Sequence, residues 1–189
     1  MRIFGVDPGS ARTGYGCIDL RDSRHEVVIC GVLSVPAKIS FPDKLKFLHD
    51  GLAELLAQHR PDVVAVEDLF YAKNARSALK LGHVRGALLL AAASAGIQIA
   101  EYTPTEVKKA VVGFGRAEKH QVRDMVALLL GMTELPSPLD VSDALAVAVC
   151  HAHAEGAQSL IKAATPATPG SPRSWRNYRP ESQGRRSPR

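Results

Sequence analysis

Four carboxylates stand where a packing argument would not put them. Asp7 closes the apolar run "RIFGVD", and Glu67 closes "VVAVE" in the same way. Asp140 and Asp143 lie three apart in "DVSDALAVAVCHAH". Read as the first turn of an apolar helix, that spacing turns both side chains to one face. Acids there also cap free N–H groups and complement the helix dipole, which accounts for this pair alone but not for all four. In α/β sheets the ligand crevice lies beyond strand ends, so carboxylates ending neighbouring strands share it. Four acids on one apolar wall repel one another and lose hydration, and a cation must offset them. Apart from Arg2 at the far end of the first, no Lys or Arg lies in the apolar runs that carry them. Mg²⁺ or Mn²⁺ suits such a set, because hard cations take carboxylates and keep waters for substrate phosphates. Two ions roughly 3.5 to 4 Å apart can stabilise the attacking and leaving oxygens of an in-line phosphodiester displacement.

The surrounding pattern supplies elements to hold these acids. "RIFGVD" (2–7), "TGYGCIDL" (13–20) and "HEVVICGVLSV" (25–35) read as strands, and their short connections make them antiparallel neighbours. A helix follows near Pro42, with Leu45, Leu48, Leu52 and Leu55 on one face. "PDVVAVED" (61–68) is a continuous apolar run, as in a parallel strand buried on both faces. An Ala-rich helix over about 75–95, a fifth strand "IQIAEYT" and helices over about 104–112, 118–131 and 140–154 complete the order βββαβαβααα. This predicts an α/β fold: a mixed five-stranded sheet with helices on both faces, the layout of the ribonuclease H-like fold, though other α/β sheets share the order.

Composition sets the bounds. With 189 residues, 46% apolar and 23% charged, the chain suits one globular domain with a sizeable core. The longest uncharged stretch in its first two thirds, "GALLLAAASAGIQIA", is too short for a membrane span, and no cleavable leader pattern opens the chain, so a cytoplasmic protein is expected. Cys17, Cys30 and Cys150 are scattered and signal neither disulfides nor zinc. The formal net charge of +5 is unevenly placed: residues 156–189 hold seven basic groups against one acid, whereas residues 1–155 hold 17 against 18. The expected organisation is therefore one folded domain, ribonuclease H-like in layout, over 1–155 and a Pro/Ser/Arg-rich tail over 156–189, disordered for want of apolar periodicity. Its arginines, with Trp175 and Tyr178, could contact phosphates and stack on bases, or simply keep the protein soluble. His151 and His153, two apart on a helix, diverge by about 200° and cannot chelate one metal together.

"GVDPGSARTGYG" (5–16), "VEDLFYAKNARSALKLGHVRG" (66–86), "VKKAVVGFGRAEKHQV" (107–122) and "DVSDALAVAVCHAH" (140–153) together resemble, in order, the RuvC family of Holliday-junction resolvases. The resemblance implies a dimeric, Mg²⁺-dependent endonuclease with the ribonuclease H-like fold. It would nick two like-oriented strands of a four-way DNA junction symmetrically, with metal-activated water as nucleophile, leaving 5′-phosphate and 3′-hydroxyl ends for recombination and repair. It aligns Asp7, Glu67, Asp140 and Asp143 with the family's acidic, metal-binding quartet. Phe70 matches the aromatic that enters the junction, with Tyr71 beside it, and Lys108 and Lys119 match positions that approach DNA phosphates. Lys73, Lys109, Arg76 and Lys80 are neighbouring candidates along the same track. The Ala-rich helix at about 76–95 is the expected dimer interface, because small residues allow close helix approach. The RuvA and RuvB branch-migration proteins are partners implied by the resemblance alone.

Three other readings compete. "DPGSARTGYG" also resembles the phosphate hairpin of sugar kinases and actin-like ATPases, but the chain has no room for their second hairpin and nucleotide domain. A non-catalytic junction-binding module would favour bases over buried acids. A related ribonuclease H-like nuclease acting on other branched DNA or RNA–DNA hybrids separates from a resolvase only by its substrate.

Overall fold

A computed structural model describes residues 1–21, 24–68 and 74–164, with side-chain surroundings up to residue 157. Strands β1 (Arg2–Asp7), β2 (Arg12–Arg21) and β3 (Arg24–Ser34) open the chain, followed by α1 (Phe41–His59), β4 (Val63–Glu67), α2 (Ala75–Ser94) and β5 (Gln98–Tyr102). Helices α3 (Pro104–Val112), α4 (Lys119–Leu129) and α5 (Leu139–Ala164) complete the described elements. The sheet order is β3-β2-β1-β4-β5. The first three strands pair antiparallel, and β4 and β5 join parallel to β1, as the sequence predicts.

Strand alternation assigns each side chain to a face. Phe4, Val6, Cys17, Val64 and Val66 pack beneath α1 and α2, against Leu48, Leu52, Leu56, Val84 and Leu88. Ile3, Ile18, Val63 and Ala65 point the other way, into a core completed by α3, α4 and α5. The sheet is thus covered on both faces, which is why β4 reads as an unbroken apolar run.

Helix ends follow local chemistry. The α3 start is a capping box: the Thr103 hydroxyl accepts from the Glu106 N–H, and the Glu106 carboxylate accepts from the Thr103 N–H at 2.8 Å, with Pro104 at the first turn. Gly113, in the left-handed region at φ 88°, ends α3. The α1 helix runs to His59, where Arg60 takes a left-handed conformation (φ 47°). The α5 helix continues past 154, and past the expected domain limit at 155, to Ala164, because no proline interrupts it before Pro166. Most of the predicted basic tail, from residue 165 onward, lies outside the described residues.

Candidate active site

Three glycines set the geometry of the site. Gly5 on β1 and Gly14 and Gly16 on β2 lie under α5, and Gly5 pairs directly with Gly16 across the two strands. A methyl group built on Gly14 would lie 1.9 Å from the Asp140 carbonyl oxygen; one on Gly5 would lie 2.1 Å from that of Ala144. Any side chain there would push α5 away, so its first turns rest on bare sheet backbone. The helix that carries Asp140 and Asp143 is thereby pressed onto the strands that carry Asp7 and Glu67.

Strand alternation brings those two strand-end acids together. Asp7 follows Ile3 and Gly5 on the α5 side of β1, and Glu67 follows Val63 and Ala65 on the same side of β4. The strands are parallel neighbours with Val6 opposite Val66, so both carboxylates leave the sheet at one edge. The turn after Asp7 is braced by Thr13, fully buried, whose hydroxyl donates to the Gly9 carbonyl at 3.0 Å.

The result is a cleft of about 320 Å³ lined by Asp7, Glu67, Asp143, Lys108 and Lys119, with Val107, Val122 and Ala146 as apolar wall. Burial, followed by the charges of Glu67 and Asp143, pushes the Asp7 carboxyl up to about 8, and Lys119 only partly opposes this. Burial also raises Glu67, while its hydrogen bond with Asp7 and the charges of Lys119 and Lys108 act the other way. Burial and the mutual repulsion of the two carboxylates thus favour a proton on the pair. Lys119 donates to Asp143 at 2.6 Å. Burial acts to lower the Lys119 ammonium, but the hydrogen bond to Asp143 and the charges of Asp7 and Glu67 prevail and raise it.

Of the predicted residues, Asp7, Glu67, Asp143, Lys108 and Lys119 line one cleft. Asp140 sits one turn before Asp143 with its backbone over Gly14, the cross-strand partner of Asp7, but its side chain is not part of the lining. Lys109, Arg76 and Lys80 are exposed on α3 and the first turns of α2. Phe70, Tyr71 and Lys73 lie outside the described residues. His151 turns away from the cleft and meets the Tyr102 hydroxyl at 2.7 Å, and His153 meets the Ala110 carbonyl at 3.0 Å.

Two features escaped the sequence reading. One is the contact of Lys119, expected to approach DNA phosphates, with Asp143 24 positions away; its place at a helix start was visible, its partner was not. The other is the pairing of Arg85 on α2 with Asp68 at 3.2 Å and with Glu101, which ties the end of β4 to α2 and β5. No charge pattern in the sequence links those three positions.

Among the described residues no three His, Cys, Asp or Glu side chains form a group already set to hold an ion. The donor set nevertheless fits a hard cation. Its oxygens converge from three elements, and a lysine ammonium already stands among them.

The family model described as "Crossover junction endodeoxyribonuclease RuvC" matches residues 3–151. A curated protein of that name from Geobacter sp. (strain M21) is 51% identical over 162 residues, covering 86% of this chain and 98% of its own. The solved structure of Thermus thermophilus RuvC superposes with a TM-score of 0.78 at 32% identity, covering 84% of this chain and 97% of that one. A second T. thermophilus RuvC structure, in complex with Holliday junction substrate, gives 0.76 at 30% identity, covering 83% and 96%.

Proposed function

This chain belongs to the RuvC family of crossover junction endodeoxyribonucleases, and from that premise we propose that it resolves four-way DNA junctions by paired, symmetrical nicks in recombination and repair. One observation supports this above the rest: three of the four predicted acids share a cleft with two lysines, inside the segment that the family model matches. Such a cleft offers carboxylates for cations and ammonium groups for the DNA backbone.

In this reading Asp7, Glu67, Asp140 and Asp143 hold Mg²⁺, two ions per site, with Mn²⁺ able to substitute. When bound, the metal polarises the scissile phosphate and activates water for in-line attack, leaving 5′-phosphate and 3′-hydroxyl ends. Asp7 and Glu67 would hold such ions as carboxylates, so the proton that burial favours on Asp7 would have to leave. Lys119 leaves Asp143 for a phosphate oxygen, while Lys108 guides the strand along α3. Val107, Val122 and Ala146 form a dry wall that strengthens these electrostatic contacts.

Beyond the cleft, Arg76, Lys80 and Lys109 extend the phosphate track, and Phe70, Tyr71 and Lys73 enter the junction from the segment after β4. The active species is a homodimer, because a twofold junction is cut at two equivalent places. The exposed face of α2, with Leu79, Gly82, Gly86 and Leu90, supplies the contact. The organisation is a nuclease domain over 1–155 followed by a basic tail, working in the cytoplasm with RuvA and RuvB.

The test is cleavage of a synthetic mobile four-way junction with Mg²⁺, beside linear duplex and RNA–DNA hybrid controls. Wild type should produce paired nicks in the junction alone. Asp7→Asn should bind the junction with wild-type affinity and leave it uncut. Equal cutting of linear duplex, or an active Asp7→Asn variant, would refute the proposal.

A further inference from the structure

Phe114 lies between the two lysine-bearing helices of the cleft, and among the described residues neither core cluster includes it. It is 47% exposed. Its exposure is built in. Gly113 turns the chain through a left-handed conformation at the end of α3. Gly115 then folds tightly back on that helix: a methyl group built there would lie 2.7 Å from the Thr105 side chain and 3.4 Å from that of Lys109. Between two constrained glycines, the loop has to present Phe114 to solvent.

Charge around the loop selects what such an aromatic could meet. Arg116, two residues on, is exposed, as is Lys109, while Lys108 and Lys119 line the cleft from either end of the loop. A single exposed aromatic needs no explanation by itself. One held out among cations beside a phosphodiester-cleaving cleft matches the pairing used on single-stranded nucleic acid, where cations follow the backbone and aromatic faces take bases. Five residues separate Phe114 from Lys119, so at about 3.8 Å per residue its backbone lies within roughly 19 Å of that lysine, a reach of a few nucleotides.

We propose that Phe114 is a second base-stacking residue, presented from the loop between α3 and α4, and that Arg116 holds a phosphate of the same strand. Bases at the crossover, which lose a stacking neighbour where strands exchange, are its ligands. This rests on the junction-resolving function proposed above. The stack would hold the strand entering between α3 and α4, so that its phosphate meets Lys119 and the carboxylates in register.

The experiment uses the full chain carrying Asp7→Asn, so that junctions bind without being cut, and Trp175→Phe, so that Phe114→Trp introduces the sole indole. Stacking predicts quenching of that indole's emission when a four-way junction is added, and no quenching with linear duplex at equal occupancy. Phe114→Ala should bind the junction about five- to tenfold more weakly with an unchanged Tm. Arg116→Ala should lower the slope of log Kd against log salt by about 0.9. Undiminished indole emission with the junction bound, or wild-type affinity in Phe114→Ala, would overturn the inference and leave the nuclease reading intact. Failure of the parent Asp7→Asn protein to bind junctions would refute the nuclease reading itself.

Discussion

At the scale of single residues, the cleft stores a conflict that pH should expose. Asp7 titrates near 4 in the unfolded chain but about 8 in the folded, metal-free protein. Between those limits the folded state binds more protons than the unfolded state, so stability falls as pH rises. Without divalent cations, Tm should therefore drop steadily from pH 4 to pH 8, and Asp7→Asn should flatten that slope in calorimetry. Adding Mg²⁺ at pH 8 should restore wild type more than Asp7→Asn, because the ion replaces the lost proton. Lys119→Ala removes a charge that restrains Asp7, so the Asp7 midpoint, followed by carboxyl NMR, should move upward. An unchanged or lowered midpoint would show that the ammonium does not act on Asp7. The acids themselves were legible, because a carboxylate at the end of an apolar run breaks an obvious pattern. Lys119 as their partner was not, since one lysine in a charged helix looks like any other until the fold brings α4 against α5.

At the scale of elements, the sheet is the reference and α5 the moving part to be fixed. The order of strands and helices was readable because period 2 and period 3.6 alternate cleanly along the chain. Helix ends were less so: α5 outran its predicted end because alanine-rich sequence without proline carries no stop. The closeness of α5 to the sheet was present in the sequence, as Gly5, Gly14 and Gly16, yet glycines in "GVDPGSARTGYG" look like turn formers until a helix is seen lying on them. Gly14→Ala places a methyl group 1.9 Å from a backbone carbonyl, so α5 must lift. Urea unfolding should show a loss of about 1–3 kcal/mol, the usual cost of overpacking. Nuclease activity should fall by more than the folded fraction does, since Asp140 and Asp143 move with the helix. A variant that lost stability but kept full specific activity would argue that the cleft tolerates a displaced α5.

For the whole molecule, α2 offers a face that the described residues leave exposed. A side chain built on Gly82 or Gly86 meets nothing within 4 Å, and Leu79 and Leu90 are 66% and 58% exposed. Gly86→Glu should therefore leave folding intact while converting a dimer to monomer in analytical ultracentrifugation, with loss of paired nicking. Wild type sedimenting as a monomer at micromolar concentration would count against the interface. Charge asymmetry belongs to this scale too. Removing residues 165–189 should reduce the salt dependence of junction binding if their arginines touch phosphates, and leave it unchanged if the segment only aids solubility. Among the described residues, no helix is long and apolar enough to cross a membrane.

The dependence of the site on α5 has a consequence for when the protein becomes dangerous to DNA. Asp7 is made almost at once and Glu67 soon after, but Asp140 and Asp143 arrive only with the last described element. A chain emerging from the ribosome has made all five strands, α1 and α2 while still lacking two of the four proposed acids. On the proposed function, the ability to cut therefore comes only once α5 has joined the sheet. A chain clipped before Leu139 should then show no nuclease activity in the junction assay.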